Sequence, residues 1–346
     1  MSDQNQVNRR SFLKTATGGS AAILSGCFSA GELLAQEKEF EIPNNRRSQA
    51  SKGIDNPYQI DPKVLNRFDE SEVAINVTPR EVGMDNRTTS TGRDNVGLLS
   101  YNRLSVPEEI ANIPPDLDDP KQLATQAKTI AKLAGADLVG ICKLDRRWIY
   151  SHSQRNSESP DPPIKKTIEF EKVEKPYETD QKLVIPDRVN NVIVMAMEQN
   201  RVLTQCSPSM TTTCASSLGY SRMAIAVVML AEYIRGMGYT AIPAMNGTGL
   251  SIPMAIDAGI GTCGRNGLLV SPEFGPNIRL CKVLTDMPLS PDKPIEFGVE
   301  EFCKTCKKCA IHCPSNALSH GERAWSGHRH NNPGTYKWYN DPVVSG

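Results

Sequence analysis

Residues 218–245 read LGYSRMAIAVVMLAEYIRGMGYTAIPAM. Apolar side chains recur over 218–237 at spacings of three and four, which predicts a helix of about five turns with one buried face. Gly238 ends this helix, and residues 240–245 follow as a short apolar run typical of a buried strand. A helix that leads directly into a strand is a common unit of proteins that combine helices with a sheet.

Similar patterns flank this unit on both sides along the chain. Strands that alternate with helices favour an α/β (α+β) fold, a sandwich built around a sheet. The further helices are predicted at 121–133 and 250–258, and the further strands at 136–144, 191–197, 267–270 and 278–285.

Two polar segments show no clear period. Residues 37–118 are rich in Pro, Asn, Asp and Arg, and we predict a loop-rich N-terminal portion that packs on the main body. Residues 151–182 contain no firm element by pattern. A loop of that length in a compact domain is either a functional lid or a tolerated surface insertion, and both interpretations stay open here.

Charge and length exclude several classes of protein. The 346 residues contain 39 Lys and Arg against 39 Asp and Glu. This balance argues against a nucleic-acid binder and against an acidic disordered tail protein. The longest unbroken apolar run, 223–231, has 9 residues. Because a membrane-spanning helix needs about 20, no such span is predicted in the mature chain.

The N-terminus has the layout of an export signal. Residues 9–14 read RRSFLK, a twin-arginine pattern, and a weakly apolar stretch rich in Ala, Gly and Ser follows at 16–30. This combination predicts a bacterial twin-arginine signal over 1–36, rather than a chance Arg pair before a small surface helix. The tetrapeptide LSGC at 24–27 also resembles a lipoprotein box, so lipidation of Cys27 stays open.

A glycine-rich turn matches a nucleotide-binding motif only in its letters. Gly259, Gly261 and Gly264 satisfy G-x-G-x-x-G. A dinucleotide loop follows a strand and opens a helix, whereas this turn follows a predicted helix. We therefore predict no dinucleotide site. The glycines would instead allow the backbone to approach a large planar or phosphate-bearing ligand closely.

Four of the ten cysteines lie in one run, CKTCKKCAIHCP at 303–314. The spacing C-x-x-C-x-x-C-x-x-x-C-P is that of bacterial ferredoxins, in which thiolates hold a [4Fe–4S] cluster. A structural zinc would more naturally use two separated C-x-x-C pairs. The predicted metal ligands are Cys303, Cys306, Cys309 and Cys313.

This run implies more ligands than the sequence contains. The last cysteine of such a run usually ligates a neighbouring cluster, yet no cysteine follows Cys313. The other six cysteines show no cluster spacing. We therefore expect that the sequence is C-terminally incomplete. Those six lie at positions 27, 142, 206, 214, 263 and 281.

The signal, the α/β body and the ferredoxin run together resemble the respiratory reductive dehalogenases, which are corrinoid iron–sulfur enzymes of organohalide respiration. The resemblance covers about residues 120–340 and the signal. Family members usually continue with a second cysteine group, expected here near Ser345. The similar segments are ADLVGI at 136–141, DRRW at 145–148, GYSRMA at 219–224, NGTGLSIPMA at 246–255, GRNGLL at 264–269, FGP at 274–276 and EFC at 301–303.

The resemblance implies a nitroreductase-like corrinoid-binding domain followed by a ferredoxin-like segment. The implied reaction replaces a carbon–halogen bond with carbon–hydrogen at a corrinoid cobalt fed by two [4Fe–4S] clusters. Implied partners are an organohalide, a small integral-membrane anchor protein and a respiratory electron donor, at the outer face of the cytoplasmic membrane; nucleic acid is not among them. The predicted divisions are a signal at 1–36, an N-terminal portion at 37–118, a corrinoid-binding catalytic domain at 119–292 and an incomplete ferredoxin-like domain at 293–346.

The resemblance also assigns roles to individual residues. Tyr220 would be the proton donor, Arg279 would hold its charge state, and Asn246 would orient substrate and donor. These roles are physically coherent, because a phenol is a weak acid and a nearby guanidinium stabilises its anion. By pattern alone, Tyr220 could equally be a core residue, Arg279 a salt-bridge partner and Asn246 a turn residue. The implied corrinoid contacts are Gly247, Thr248, Gly249, Leu250, Ser251, Gly264, Arg265, Asn266 and Gly267.

Two other functions remain as alternatives. An enzyme similar to epoxyqueuosine reductase would share the corrinoid domain and the clusters, but it would be cytoplasmic and act on tRNA. An exported ferredoxin-type electron carrier would have clusters and no chemistry of its own, although the α/β body is large for a carrier. The sequence lacks D-x-H-x-x-G, the motif of proteins that ligate cobalt through histidine. The identity of the halogenated substrate is not encoded in any motif.

Overall fold

The computed structural model describes residues 52–53, 55, 57–67, 101, 119–155, 164–207, 209–327, 331 and 333–341. The predicted signal, including Cys27, and most of the predicted N-terminal portion lie outside these residues. The helices are α1 Pro120–Leu133, α2 Arg201–Thr204, α3 Met210–Gly236, α4 Ser251–Asp257, α5 Val299–Cys306 and α6 Lys308–Ile311. The strands are β1 Lys52–Gly53, β2 Leu138–Lys143, β3 His152–Arg155, β4 Ile164–Glu171, β5 Tyr177–Glu178, β6 Lys182–Pro186, β7 Asn191–Glu198, β8 Ala241–Ala244, β9 Thr262–Cys263, β10 Leu269–Val270, β11 Ile278–Thr285 and β12 Ile295–Glu296.

A four-stranded antiparallel sheet with the order β2-β7-β11-β8 forms the centre of the fold. Its strand β7 is buried over seven consecutive residues, so both faces of the sheet are covered. Alternate β7 side chains enter two different apolar clusters, as the two-residue period of a strand requires. Val192, Val194 and Ala196 join one cluster, and Ile193, Met195 and Met197 join the other.

Each face of the central sheet is covered by different elements. Helices α1 and α3 bury their apolar residues on one face, and α4 packs on the opposite face. Helix α1 begins where Asp119 caps the first turn and Pro120 follows it, and it ends just before Gly135 at φ +105°. The mixed α/β class predicted from the alternation of helices and strands is confirmed, and the sheet is antiparallel.

Helix α3 begins earlier than predicted. It spans Met210–Gly236, eight residues beyond the predicted N-terminal boundary, because its first two turns are polar and carry no apolar stripe. Within the described residues, α3 alone is long and apolar enough to cross a membrane by length and composition. Half of its most apolar window is buried, and it packs on β7, β8 and β11. These contacts are those of a core helix.

The prediction of no firm element over 151–182 is wrong. Strands β3, β4, β6 and β5 form a second four-stranded sheet in that order, with β4 and β6 parallel. The pattern misled because Lys166 and Glu178 are both buried and form an ion pair of 2.9 Å. Charged residues in a strand are usually taken as solvent-facing, so a buried pair hides the alternation.

The glycines of the 259–264 turn approach the chain itself. A Cβ built on Gly261 would overlap the carbonyl oxygen of Val270, and one on Gly259 would overlap that of Lys293. Gly259 also has φ +71° and follows the end of α4, where a left-handed residue commonly ends a helix. The interpretation that these two glycines allow a ligand to approach is therefore wrong. They allow backbone segments to pack.

Candidate active site

Three predicted catalytic residues converge on one phenolic oxygen. Tyr220 lies on α3 with 7% of its surface exposed. Asn246 Nδ2 donates to the Tyr220 hydroxyl oxygen at 2.8 Å, and Arg279 Nη1 donates to the same oxygen at 3.3 Å. The Arg279 guanidinium carbon lies 4.8 Å from the centroid of the Tyr220 ring. An oxygen that accepts two N–H groups, one of them cationic, is in a setting that favours its anion.

The guanidinium of Arg279 is held against α3. Arg279 lies on β11 opposite Met197 of β7. A Cβ on Gly219 would sit 3.0 Å from Arg279 Cγ, so the glycine leaves room for this approach. Ser216, one turn earlier on α3, accepts a hydrogen bond from Arg279 Nη2. Arg279 Nε is buried and lacks a hydrogen-bond partner in the described part of the chain.

Asn246 is an exposed residue of a loop whose ends are bonded to a buried cation. Lys282 is fully buried, and its Nζ donates to Met245 O at 3.0 Å and to Ser251 Oγ at 2.9 Å. Because Met245 precedes Asn246 and Ser251 begins α4, one ammonium holds both ends of the loop. Lys282 and Arg279 are three residues apart on β11, so their side chains leave the sheet on opposite faces.

Sequence reasoning missed Ser216 and Lys282. Ser216 lies about one helical turn before Tyr220, but the predicted helix begins at residue 218 and leaves Ser216 outside. Lys282 follows the apolar pair Leu280 and Cys281 within the predicted strand 278–285, and this was the available signal, since a charge in a buried strand needs partners. Both residues fix the geometry of the predicted catalytic groups rather than join them.

The first predicted corrinoid segment, 247–251, is hydrogen-bonded to residues 148–150, which precede β3. Leu250 N donates to Trp148 O at 2.8 Å, and a Cβ on Gly249 would lie 2.6 Å from the same oxygen. Thr248 is buried at φ +70°, and its hydroxyl lies 3.1 Å from that of Tyr101. Thr248 and Gly249 are therefore buried in protein contacts. The half-buried members of the segment are Gly247, Leu250 and Ser251.

The second predicted corrinoid segment is the turn between β9 and β10. Its members are Gly264, Arg265, Asn266 and Gly267. Asn266 Oδ1 accepts a hydrogen bond from Leu268 N at 3.1 Å, which closes the turn. The Arg265 side chain is 1% exposed and donates to backbone oxygens of the 303–321 region. Arg265 therefore joins this turn to the cysteine run.

The four predicted ligands lie in one short segment. Cys303 and Cys306 are on α5, Cys309 is on α6, and Cys313 follows α6. Lys307, at φ +49°, separates the two helices. All four cysteines are free and half-buried. In the described ranges, no three His, Cys, Asp or Glu side chains form a group that could hold a metal ion. The thiols are thus neighbours in one segment without closing into a preformed cage.

Local hydrogen bonds act on the thiols of this segment. The Ser315 hydroxyl, followed by backbone N–H groups, lowers the pKa of Cys313, which favours the thiolate that binds metal. Burial raises the pKa of Cys309. Arg265 N donates to Cys303 Sγ at 3.4 Å. Outside the run, burial raises the pKa of Cys281 to about 12, so that thiol is an inert core residue.

Residues 86–289, more than half of the chain, match the family model described as the reductive dehalogenase subunit. The chain belongs to this family. The tetrachloroethene reductive dehalogenase of Sulfurospirillum multivorans is 44% identical over 250 residues, covering 70% of this chain and 50% of that protein. One from Desulfitobacterium hafniense is 37% identical over 234 residues, covering 62% and 42%. The chain therefore spans about half the length of the curated relatives it matches.

A solved reductive dehalogenase has the same fold. That structure, described as suggesting a mechanism for B12-dependent dehalogenation, superimposes with a TM-score of 0.64 at 22% identity. The superposition covers 85% of this chain and 41% of the other. The α/β body of the chain thus has a fold that a reductive dehalogenase is known to adopt.

The donor chemistry of the cysteine run fits an iron–sulfur cluster. Four half-buried thiols occur within eleven residues, one sulfur receives a backbone N–H, and another has a lowered pKa. Thiolate ligands and N–H bonds to sulfur are both usual in such centres. The buried Arg279 Nε beside Tyr220 has no hydrogen-bond partner among the described residues, so it can donate to a bound acceptor.

Proposed function

We propose that the protein catalyses reductive dehalogenation, in which an organohalide, two electrons and one proton give the hydrogenated product and a halide ion. The observation that carries this proposal is the meeting of Asn246 and Arg279 on the hydroxyl oxygen of Tyr220. A proton donor with a stabilised conjugate base is what the replacement of halogen by hydrogen needs. Membership of the reductive dehalogenase family supports the same conclusion.

In this proposal each residue acts on a stated atom. Tyr220 transfers its hydroxyl proton to the carbon that loses halogen. Arg279 stabilises the phenolate left behind through its Nη1, which already reaches the hydroxyl oxygen. Asn246, exposed on its loop, orients both the hydroxyl and the substrate. Lys282 is a positioning residue, because it fixes the loop that carries Asn246.

A corrinoid is proposed as the cofactor, supported by the family and by the B12-dependent dehalogenation described for the solved relative. When bound, it would supply a strongly reducing cobalt centre that cleaves the carbon–halogen bond. Of the predicted contacts, five are half-buried and available to hold it, namely Gly247, Leu250, Ser251, Asn266 and Gly267. We propose that the body of the chain is a nitroreductase-like corrinoid-binding domain.

The cysteine run is proposed to hold a [4Fe–4S] cluster in a ferredoxin-like segment. The spacing of the run and its donor chemistry support this assignment. A second cluster is expected in the complete electron path. The clusters would deliver one electron at a time to the corrinoid.

The proposals for export, substrate and partners are supported by the sequence and by similarity to the relatives. The twin-arginine pattern at 9–14 supports export to the outer face of the cytoplasmic membrane. There the chain would meet a small integral-membrane anchor protein and a respiratory electron donor. Since two relatives are named tetrachloroethene reductive dehalogenases, a chlorinated ethene is the first organohalide to assay. An epoxyqueuosine-reductase-like activity on tRNA has less support, because the matching family is the dehalogenase one.

Anaerobic expression with added corrinoid, followed by a halide-release assay, tests the proposal. With reduced viologen as donor, we expect halide release from a chloroethene or a halophenol, together with bound corrinoid in the absorption spectrum. Clusters without corrinoid and without halide release would favour the electron-carrier alternative. Corrinoid with conversion of an epoxyqueuosine-bearing tRNA stem loop, and no halide release, would favour the tRNA alternative.

A further inference from the structure

Arg265 is a buried cation without a carboxylate partner. Its side chain is 1% exposed, and no Asp or Glu within the described ranges lies at ion-pair distance from it. The nearby carboxylates Glu300 and Glu301 pair with Lys304 and Arg323 instead. Burying a charge is costly unless an opposite charge compensates it. The charge of the guanidinium must therefore be compensated by a negative group other than these two carboxylates.

The hydrogen bonds of Arg265 reach the cysteine run and the segment that follows it. Its Nε donates to Cys303 O at 3.0 Å, and its backbone N–H donates to Cys303 Sγ at 3.4 Å. Its Nη1 donates to Ser319 O at 2.9 Å and to Gly321 O at 2.7 Å. One residue thus reaches a predicted ligand through both its backbone and its side chain, and it braces the segment that follows the run.

Two buried donors at this place have no acceptor among the described residues. Arg265 Nη2 and Trp338 Nε1 are both buried without a hydrogen-bond partner in the described part of the chain. The two side chains stack, with the Arg265 guanidinium carbon 4.6 Å from the centroid of the Trp338 ring. Buried polar groups are nearly always paired, so two orphans side by side indicate an acceptor that occupies the site in the working protein.

We propose that Arg265 is the counter-charge of the iron–sulfur cluster held by the cysteine run and raises the reduction potential of that cluster. The inference rests on the proposed function in one respect, namely that the run holds a cluster. A thiolate-ligated cluster is anionic and gains a further negative charge on reduction, so a buried cation and N–H bonds to sulfur favour the reduced form. Arg265 is thereby a positioning residue that tunes the reduction potential of the cluster. It lies where the turn between β9 and β10 meets the cysteine run.

The test is the reduction potential of the cluster in the full chain, loaded anaerobically with iron and sulfide. Arg265→Gln is expected to shift the one-electron equilibrium about tenfold toward the oxidised cluster, a fall of about 59 mV. Arg265→Lys, which keeps the charge and loses the planar fork, is expected to stay within about threefold of the parent. Electron paramagnetic resonance during a dye-mediated titration measures both.

Arg235→Gln is the matched control. Arg235 is also buried, but it bonds to Glu232 and Ala241 O on the far end of α3, so its replacement should leave the potential unchanged. A loaded Arg265→Gln variant with the parental potential would overturn the proposal. If Arg265→Gln cannot retain a cluster, retention by Arg265→Lys at the parental potential supports the need for charge. Loss of the cluster in both variants would assign Arg265 a purely structural role.

The outcomes also separate this inference from the proposed function. A shifted potential in a chain that releases no halide would support the role of Arg265 and refute dehalogenation. Halide release by the parent chain, with no shift of the potential in Arg265→Gln, would support dehalogenation and refute the role of Arg265. A parent chain that takes up no cluster under reconstitution would refute both the cluster assignment and the role of Arg265.

Discussion

Replacing Tyr220 by phenylalanine tests the proposed proton donor. The change removes the one oxygen on which Asn246 Nδ2 and Arg279 Nη1 converge and leaves the ring in its buried place. General acid catalysis contributes about 10²- to 10⁴-fold to a rate. At about 1.36 kcal/mol for each factor of ten, the barrier should rise by roughly 3–5 kcal/mol. Loss of the shared acceptor should also cost about 1–3 kcal/mol of folding stability.

The assay is halide release by the corrinoid- and cluster-loaded protein under reduced viologen, with corrinoid and iron measured on the same sample. We expect kcat to fall by about 10²- to 10⁴-fold, while the corrinoid and iron contents stay at the levels of the parent protein. Tyr233→Phe is the matched control, because Tyr233 lies on the same helix and its buried hydroxyl has no hydrogen-bond partner within the described ranges. Turnover of Tyr220→Phe equal to that of Tyr233→Phe would refute the assignment of Tyr220.

Two stability predictions follow from other parts of the fold. Burial raises the pKa of Asp257 from 3.8 to about 7, with Trp148 Nε1 bonded to the carboxylate at 3.1 Å. Because the folded chain keeps this proton to higher pH than the unfolded chain, the free energy of unfolding should fall as pH rises from about 4 to about 7. Asp257→Asn should therefore stabilise the protein by about 2 kcal/mol at pH 8 and by little at pH 4, and equal gains at both pH values in urea titrations would count against this. A Cβ at Gly140 would overlap the Ala258 carbonyl, so Gly140→Ala should lower stability by at least about 2 kcal/mol. Gly236→Ala, with open space at the end of α3, should raise it by about 0.5–1 kcal/mol, and the same sign for both variants would contradict the packing described.

The elements that sequence predicted well carry their own local signals. The predicted bounds of strands β7 and β11 agree with the structure to within one residue. Strand β7 is a nearly continuous apolar run and five of the eight residues of β11 are apolar, as expected in a sheet covered on both faces. Helix α1 was predicted to within one residue, because Asp119, Pro120 and Gly135 mark its ends. Where the local pattern and the tertiary environment agree, the sequence is sufficient.

The failures arose where burial depends on distant partners. The second sheet was missed because Lys166 is buried only in company with Glu178, 12 residues away. The catalytic residues were named from family resemblance, and no local pattern shows that Asn246 and Arg279 meet Tyr220 across separations of 26 and 59 residues. The pairing of β11 with β7 and β8 creates that meeting, and it also places Lys282 under the Asn246 loop.

The electron-to-halide ratio tests the central claim most directly. The loaded protein would be mixed with reduced viologen and a chloroethene, and oxidised viologen and free halide would be counted in the same vessel. Reductive dehalogenation predicts two one-electron viologen oxidations for each halide released, with carbon–hydrogen replacing carbon–halogen in the product. Halide release without viologen oxidation, or viologen oxidation without halide, would contradict it.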